Sequence, residues 1–276
     1  MKKKISLLLV GIMVFSIMFV GCGKDESGET VVDGDSKLQE IIDSGKIILG
    51  TNADYPPFEF HAMVDGKDSI VGFDIEIAKY IANELGVDLE IKDMEFDNLL
   101  GCLGSGMLDI VIASMNPDPE RKKKANFTDI YYEANFSVLL GKDSVSKITS
   151  IDDLEGKSIG VQIGTTQENF AQTNINDANV KSLGTNSDIV MQLKTKKIDC
   201  AIMESPVAES YAKVNDDLMV ADDLTIDSDA GGVAIAVKKG NDQLTEKLNE
   251  ILAQIKSEDL IEKWLFEADK LSSEGL

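Results

Sequence analysis

The apolar positions of this chain follow a helical period in some segments and a strand period in others. Between residues 74 and 85 they recur every three or four residues, which is typical of one face of a helix, and Gly86 stands where such a helix would end. Short apolar runs at 46–51 and 110–113 predict buried strands. Helical and extended patterns alternate in this way from residue 36 onward, which predicts parallel sheets covered by helices.

The alternation passes through the chain in two rounds, and neither round repeats the other in sequence. Two rounds predict two lobes of an α/β fold, each a mostly parallel sheet flanked by helices, joined by a two-segment hinge. We place the two crossings near 133–135 and 229–232. Residues 36–134 and 231–276 then form a discontinuous lobe 1, and residues 135–230 form lobe 2, inserted between them.

The N-terminal segment has the pattern of an export signal. Lysines near the start precede an apolar run over 5–20, which is too short for a comfortable bilayer span and is followed closely by Cys22. Small residues before a cysteine resemble a bacterial lipoprotein cleavage site. The resemblance implies a signal peptide over 1–21 and a lipid on Cys22 that anchors the protein at the extracytoplasmic face of the cell membrane. An uncleaved membrane anchor is the alternative. Residues 23–35, rich in glycine, serine and acids, predict a flexible tether.

Composition excludes several classes of function. The formal net charge of -22 argues against nucleic acid as a partner, because nucleic-acid binding requires basic patches. His61 is the only histidine, and no cysteine or histidine pair has a metal-ligand spacing, so we expect neither a metal site nor a histidine-dependent triad. Cys102 and Cys200 are expected to be single buried thiols in different lobes. We predict no cofactor.

The most informative local feature is the loop after the predicted strand at 46–51. It holds two adjacent prolines, which restrict φ, between the aromatic residues Tyr55 and Phe58. A rigid aromatic loop beyond the carboxyl end of a strand lies where open α/β sheets bind ligands. Taken alone, the same residues would equally suit aromatics that cap a core.

A second loop follows the predicted strand at 110–113. Arg121 opens a predicted helix there and offers a planar fork of donors to a carboxylate. Ser114 and Asn116 add small polar groups to the same loop. In the alternative interpretation, Arg121 belongs to a solvated basic run over 121–124.

Two segments of the second round complete the set. Thr165 and Thr166 follow a predicted strand and begin a helix whose free amides favour an anion, although helix capping by Thr165 explains the same residues. Glu204 also follows a predicted strand, where it could pair with an ammonium group or simply favour a helix dipole. A guanidinium, a helix start, a lone acid and an aromatic loop are what a free amino-acid zwitterion requires, because each buried charge must be paired.

Together these segments resemble the amino-acid-binding proteins of the polar amino-acid ABC uptake systems. Those proteins are family 3 of the bacterial solute-binding proteins and have a type II periplasmic-binding-protein fold. The stretches that carry the resemblance are GTNADYPPFEF (50–60), VGFDIEIAKYIANELGV (71–87), FDNLLGCLGSGMLDI (96–110), PERKK (119–123), FTDIYYEA (127–134), GKSIGVQIGTTQE (156–168) and ESPVAE (204–209).

The resemblance implies a role for each matching residue. Arg121 would bind the α-carboxylate of the ligand, assisted by Thr166, and Glu204 would bind the α-ammonium. Tyr55 and Phe96 would enclose the ligand side chain. The implied ligand-binding residues are Asn52, Asp54, Tyr55, Phe58, Phe96, Ser114, Met115, Asn116, Arg121, Thr165, Thr166, Gln167 and Glu204.

Some of these positions depart from the family pattern. Asn52 occupies a position that is often acidic, Asn116 and Asp118 stand where hydroxyl residues are common, and Glu204 replaces the usual aspartate. These departures put the identity of the ligand in doubt more than its class.

Specificity therefore stays open between two kinds of side chain. The acidic residues Asp54, Asp118 and Asp229 indicate a cationic ligand such as arginine or lysine, unless they are solvated surface acids. Asn52 and Gln167 would equally suit glutamine or another polar ligand.

The implied function is that of the extracytoplasmic amino-acid-binding component of an ABC uptake transporter. The ligand would bind largely on lobe 1, the lobes would close about it, and the closed protein would dock on a membrane permease driven by an ATPase. We expect a monomer without enzyme activity. The alternatives are an enzyme similar to cyclohexadienyl dehydratases, with Glu204 as general acid, and an amino-acid sensor domain.

Overall fold

The computed structural model describes residues 36–143, 148–228 and 231–275. The predictions for the signal peptide, for Cys22 and for the tether lie outside the described residues, as does Asp229. Within those ranges, no helix is both long enough and apolar enough to cross a membrane.

Helices and strands alternate along most of the described chain. The helices are α1 (Ser36–Ser44), α2 (Phe73–Leu85), α3 (Leu99–Ser105), α4 (Pro119–Lys124), α5 (Thr166–Asn174), α6 (Asn186–Lys194), α7 (Ser205–Val214), α8 (Asp242–Ser257) and α9 (Leu260–Gly275). The strands are β1 (Lys46–Thr51), β2 (Asp54–Tyr55), β3 (Glu59–Val64), β4 (Lys67–Val71), β5 (Asp88–Asp93), β6 (Ile110–Val111), β7 (Ala125–Phe127), β8 (Phe136–Gly141), β9 (Ser158–Gln162), β10 (Asn179–Leu183), β11 (Cys200–Glu204), β12 (Leu218–Ile226) and β13 (Ala236–Lys238).

Within the described ranges, the strands form two five-stranded sheets and one three-stranded sheet of order β2-β3-β4. The first large sheet has the order β5-β1-β6-β13-β7, and only β13 runs against the direction of the other four strands. The second, of order β10-β9-β11-β8-β12, repeats this arrangement with β8 as the reversed strand. Each sheet is therefore mostly parallel.

The chain passes between the two large sheets twice. It leaves the first sheet after β7 and enters the second at β8, and it returns between β12 and β13. The two crossing segments meet at an isolated bridge between Tyr132 and Val233. The prediction of an α/β fold with two sheet-containing lobes and a two-segment hinge is confirmed.

Helix α2 shows how the apolar period positions an element. Its residues Ile75, Ala78 and Ile81 are fully buried, which places the predicted face against the core. Gly86 ends the helix with a φ of 68°, in the left-handed region that a glycine adopts without strain.

Several strands were not predicted from the pattern. β8 is an apolar run, buried along five of its six residues, that pairs antiparallel on both sides and so falls outside the strand–helix alternation. β12 carries two acids at 222–223 and a register shift between Val220 and Thr225, which interrupt its period. The last helix, α9, extends from Leu260 to Gly275.

The single cysteines and the histidine differ in how they are placed. Cys200 is a buried thiol as predicted, whereas Cys102 on α3 is only half-buried, which corrects that prediction. His61 is exposed on β3, and its ring nitrogens contact the carboxylates of Asp68 at 3.0 Å and Asp93 at 3.2 Å.

Candidate functional site

Four loops converge between the two large sheets. They follow β1, β6, β9 and β11, which pair in parallel within their sheets, so the loops of each sheet leave it at a common edge. Contacts across the cleft are direct. Oγ1 of Thr166 donates to Oδ1 of Asn116 at 2.6 Å, and Nε2 of Gln162 donates to Oδ1 of Asn52 at 2.7 Å.

The loop after β1 brings Tyr55 into the cleft. The hydroxyl of Tyr55 donates to Oε2 of Glu204 and accepts from the backbone N–H of Glu204 at 3.0 Å. Phe58 is fully buried behind Tyr55 and packs against Phe73 and Tyr132, with ring centroids 4.7 and 5.7 Å apart. Phe58 therefore supports the aromatic wall from the core rather than forming its surface.

The loop after β6 is held in an uncommon backbone conformation. Ser114 has a φ of 45°, in the left-handed region that residues other than glycine seldom adopt. Its N–H donates to Oδ2 of Asp74 at 2.9 Å, so the first turn of α2 fixes the loop. Further along, the carboxylate of Asp118 caps α4 by accepting from the N–H groups of Glu120 and Arg121 at 2.8 Å each.

Arg121 is a buried cation at the edge of the cleft. Its Nη1 donates to the carbonyl oxygen of Asn116 and its Nη2 to that of Gly164, both at 2.8 Å. Its Nε lies 3.3 Å from Oδ2 of Asp118, and its Cζ lies 5.2 Å from the ring centroid of Phe96. These contacts hold the guanidinium plane in place.

The burial of Arg121 separates it from the lysines that follow. Arg121 is 7% exposed, whereas the lysines at 122–124 are exposed, so the interpretation of Arg121 as part of a solvated run is wrong. Burial lowers the pKa of Arg121, and the charges of Asp118 and Glu204 oppose that effect. A guanidinium has five N–H donors, and the two hydrogen bonds above use one on Nη1 and one on Nη2, so each of these nitrogens retains an N–H for a carboxylate.

The start of α5 combines capping with contact to the cleft. Oγ1 of Thr165 accepts from the N–H of Glu168 at 3.2 Å, as expected of a capping residue. Two residues after Thr165, the side chain of Gln167 is buried, and its Nε2 donates to Oε2 of Glu204 at 2.6 Å. The helix start therefore presents both backbone amides and a buried side-chain amide to the site.

Glu204, at the end of β11, is a buried acid at this cleft. It is 1% exposed, and its Oε2 accepts from both Tyr55 and Gln167. Among the described residues, no donor reaches its other oxygen, Oε1. Burial raises the pKa of Glu204 to about 7, although hydrogen bonds and the charge of Arg121 act in the opposite direction. An ammonium group at Oε1 would favour the ionised form.

A small cavity lies between the four loops. Two more of its polar atoms, Oγ of Ser114 and Oε2 of Glu59, are buried without a partner in the described part of the chain. The lining residues are Asn52, Tyr55, Glu59, Phe96, Ala113, Ser114, Asn116, Gln162, Thr165, Gln167 and Glu204. A wider cleft of about 1100 Å³ adjoins it, and the predicted residues that line this cleft are Phe96, Met115, Arg121, Thr165 and Thr166.

Asp54, which is among the predicted ligand-binding residues, has protein partners across the cleft. Its carboxylate accepts from the N–H and Nδ2 of Asn186 at 2.6 and 3.0 Å and from the N–H of Ser187 at 3.3 Å. Its carbonyl oxygen accepts from the hydroxyl of Tyr211 at 2.9 Å. Burial raises the pKa of Asp54 to about 6. Asp54 thus joins the two sides of the cleft at the start of α6.

Sequence reasoning missed two polar residues of the cavity, Glu59 and Gln162. Glu59 directly follows the aromatic loop, and an acid beside a buried aromatic was the available signal. Gln162 ends strand β9 after a buried apolar stretch, and a buried polar side chain at a strand end requires a hydrogen-bond partner. In the ranges described, no three His, Cys, Asp or Glu side chains are arranged to hold a metal ion.

Comparisons with known proteins identify the family. Residues 47–267 match the model of the bacterial extracellular solute-binding proteins, family 3. The arginine-binding extracellular protein ArtP of Bacillus subtilis (strain 168) is 38% identical over 267 residues, which is 95% of this chain and 96% of ArtP.

Solved structures give the same result. The amino acid ABC transporter substrate-binding protein AbpA from Streptococcus pneumoniae Canada MDR_19A, bound to L-arginine, is 35% identical with a TM-score of 0.82, over 85% of this chain and 98% of AbpA. The ancestral amino-acid-binding protein AncCDT-1, a precursor of cyclohexadienyl dehydratase, is 35% identical with a TM-score of 0.75, over 84% of this chain and 98% of AncCDT-1. With a family model and a full-length relative in agreement, this chain belongs to family 3 of the bacterial extracellular solute-binding proteins.

Proposed function

We propose that this chain is the extracytoplasmic amino-acid-binding component of an ABC importer, and that its ligand is a free L-amino acid with a cationic side chain, L-arginine in particular. The observation that supports a cationic side chain is the pair of acids in the cavity. Glu59 and Glu204 both line it, both are 1% exposed, and each has an oxygen that no donor among the described residues reaches. The α-ammonium of an amino acid balances one buried carboxylate. A second buried carboxylate requires a second cation, which a cationic side chain supplies.

Each charged group of such a ligand has a partner at the site. The guanidinium of Arg121 and the first amides of α5 would receive the α-carboxylate, because both offer N–H donors at the cleft. Glu204 would accept from the α-ammonium and Glu59 from the side-chain cation. Tyr55 and Phe96 would flank the aliphatic stem.

The relatives support the same ligand. ArtP is named for arginine, and AbpA has L-arginine bound in its structure. ArtP matches this chain along nearly its whole length, and an arginine-binding function agrees with the acidic cavity.

Capture would proceed by closure of two lobes about the hinge. We propose a lobe 1 of residues 36–134 and 231–276 and a lobe 2 of residues 135–230, because the chain passes between the two large sheets near these boundaries. Arg121 then belongs to lobe 1 and Glu204 to lobe 2. A ligand that contacts both favours the closed form, since a ligand shifts such an equilibrium only through contacts that differ between the two states.

Export and anchoring belong to the same proposal. Residues 1–21 would be a removed signal peptide, Cys22 would carry the lipid, and residues 23–35 would tether the folded part to the extracytoplasmic face of the cell membrane. Held there as a monomer, the closed protein would dock on the permease of the importer, whose ATPase drives uptake. Metabolic labelling with radioactive palmitate tests the anchor, with label expected in the wild type and not in Cys22→Ala.

A dehydratase-like enzyme is the second candidate. Burial raises the pKa of Glu204 to about 7, which suits a general acid, and AncCDT-1 is a precursor of cyclohexadienyl dehydratase. The contacts for both charges of a zwitterion favour capture and release without chemistry. Incubation with prephenate or arogenate distinguishes the two, because only the enzyme forms an aromatic product.

A thermal-shift screen against free amino acids tests the proposed ligand. A ligand that binds only the folded protein raises its melting temperature, and we expect the largest rise with L-arginine. L-Citrulline is the matched control, because it replaces the guanidinium with a neutral urea group of similar shape. A rise with citrulline, glutamine or cystine that equals the rise with arginine would contradict a cationic specificity.

A further inference from the structure

Beneath the ligand cavity, two buried acids lie on segments that a backbone hydrogen bond joins. Glu59 lies on β3 and is 1% exposed, and Asp74 lies in the first turn of α2 and is 0% exposed. The N–H of Asp74 donates to the carbonyl oxygen of Phe58, the residue before Glu59, at 2.9 Å. Besides burial, the charge of Asp74 raises the pKa of Glu59. Two neighbouring carboxylates do not both stay ionised in a buried site without a cation, so the pair holds one proton.

The donors around the pair assign that proton to Glu59. Oδ2 of Asp74 accepts from the N–H of Ser114 at 2.9 Å, and its two oxygens accept from the hydroxyl of Tyr131 at 2.9 and 2.8 Å. These donors stabilise the ionised form of Asp74. No donor in the described residues reaches Oε2 of Glu59. Burial raises the pKa of Asp74 to about 6, and it raises the pKa of Glu59 well above the usual range.

The charged groups that act most strongly on Glu59 are all acidic. After the larger effect of burial, Asp74 on α2, Asp54 on β2 and Glu204 at the end of β11 each raise the pKa of Glu59. The buried cation of the cleft, Arg121, lowers the pKa of Glu204 and donates to backbone carbonyl groups. No lysine or arginine of the described residues is among the groups that act most strongly on Glu59, so a ligand cation is the natural source of a positive charge beside it.

We propose that a ligand with a cationic side chain exchanges with the proton of the Glu59–Asp74 pair. The inference rests on the cationic ligand proposed above. As the ligand enters the open cleft, the O–H bond of Glu59 breaks, its proton passes to water or a buffer base, and the side-chain cation takes its place. One cation replaces one proton, so the charge around the pair is conserved and a charge-assisted hydrogen bond forms.

The exchange makes the affinity for a cationic ligand depend on pH. The complex holds Glu59 ionised, whereas the unliganded protein holds the proton, so affinity rises with pH until the pH passes the pKa of unliganded Glu59. Release of one proton gives a limiting slope of about tenfold in the association constant per pH unit. L-Citrulline has no side-chain cation and leaves that proton in place. Its α-ammonium still meets Glu204, so proton release at Glu204 is common to both ligands.

Isothermal titration calorimetry in two buffers measures the exchange. The full chain, purified in detergent, is titrated near neutral pH with L-arginine and with L-citrulline, each in phosphate and in Tris, which differ in ionisation enthalpy. The dependence of the heat on that enthalpy gives the number of protons released. We expect arginine to release about one proton more than citrulline.

Glu59→Gln is the matched variant, because it keeps the side-chain shape and removes the acid. We expect it to lose the additional proton release with arginine, so that arginine and citrulline release equal numbers of protons and the ratio of their affinities no longer changes with pH. If circular dichroism shows that the variant does not fold, the test uses the wild-type protein alone. The ratio of its arginine affinity to its citrulline affinity is then measured at several pH values. A ratio that rises with pH supports the exchange.

The outcomes separate this inference from the function on which it rests. Equal proton release with the two ligands, or an affinity ratio that does not change with pH, overturns the exchange and leaves arginine binding intact. Binding heat that is absent for arginine, lysine and ornithine overturns the cationic ligand and the exchange together.

Discussion

The carboxylate of Asp54 accepts hydrogen bonds from both the backbone N–H and the side-chain Nδ2 of Asn186, at 2.6 and 3.0 Å. Asp54 lies on β2, beside the first large sheet, and Asn186 begins α6, beside the second. An acid at a helix N-terminus satisfies its open amides and interacts favourably with its dipole. This contact stabilises the arrangement in which the two sides of the cleft meet.

Asp54→Asn is expected to weaken ligand binding through its effect on the contact between the two sides of the cleft. The variant loses the charge-assisted part of the contact with α6, which is worth about 1 kcal/mol, or about fivefold in affinity. Calorimetry with arginine measures the affinity, and small-angle scattering measures whether the unliganded protein becomes more open.

Asp65→Asn is the control for that substitution. Asp65 is an exposed acid in the turn between β3 and β4, where asparagine also tolerates the φ of 50°. Each variant removes one negative charge from the protein. Equal arginine affinities in the two variants would therefore contradict the proposed role of Asp54 in closure.

Arg121→Ala is expected to abolish most of the binding and leave the fold intact. Truncation of one partner of a buried charge pair costs roughly 2–5 kcal/mol, so affinity should fall by about 100-fold or more. Arg121 donates mainly to the backbone carbonyl oxygens of Asn116 and Gly164. Water can hydrogen-bond to these oxygens when the cleft opens, so the loss of Arg121 should not unfold the protein.

Lys123→Ala tests whether that loss is specific. Lys123 lies on the same helix but is exposed and pairs with Glu120 at the surface. Surface pairs contribute little, and we expect an affinity within about twofold of the wild type. Near-normal arginine affinity in Arg121→Ala would remove Arg121 from the site.

Glu204→Gln and Glu59→Gln are expected to separate general amino-acid binding from side-chain specificity. Loss of the acid at residue 204 should weaken arginine and citrulline alike, because both carry an α-ammonium, by about 10- to 100-fold. Loss of the acid at residue 59 should weaken arginine alone. A thermal-shift assay measures the binding of arginine and citrulline to both variants. If the two variants lose binding of the same ligands, Glu204 and Glu59 do not have the separate roles proposed here.

The positions of the site loops could be predicted because each depends on local sequence. A buried strand, a short polar loop and a capped helix start fix the backbone around Arg121, and the cap at Asp118 lies three residues before it. The same holds for Thr165, which caps α5 whether or not a ligand is bound. Local patterns of this kind do not depend on what packs across the cleft.

The partners of the acids could not be predicted, because they depend on packing between distant segments. Asp54 and Asn186 are 132 residues apart in sequence, and nothing in the loop after β1 indicates that its acid meets a helix start rather than a ligand. Glu59 was not among the predicted site residues, because only the packing of β3 on α2 brings it near Asp74 beneath the cavity.

The unliganded protein is expected to be less stable at about pH 8 than at about pH 5. Burial raises the pKa of Asp54 and of Asp74 to about 6 and that of Glu204 to about 7. The folded protein therefore binds protons more tightly than the unfolded chain. The stability that these groups contribute is fully present below their unfolded pKa values near 4 and is lost as the pH rises through their folded values.

Glu204→Gln isolates one part of that pH dependence. For Glu204 a rise in pKa from 4.5 to about 7 corresponds to about 3 kcal/mol of unfolding free energy lost between acidic and alkaline pH. Urea denaturation at several pH values measures it, and the variant should show a smaller fall than the wild type. Because repulsion within a chain of net charge -22 lowers stability in the same direction, the difference between the two proteins is the decisive quantity. An equal fall in both would mean that Glu204 titrates as a solvated acid, and its assignment as the buried partner of an ammonium group would fail with it.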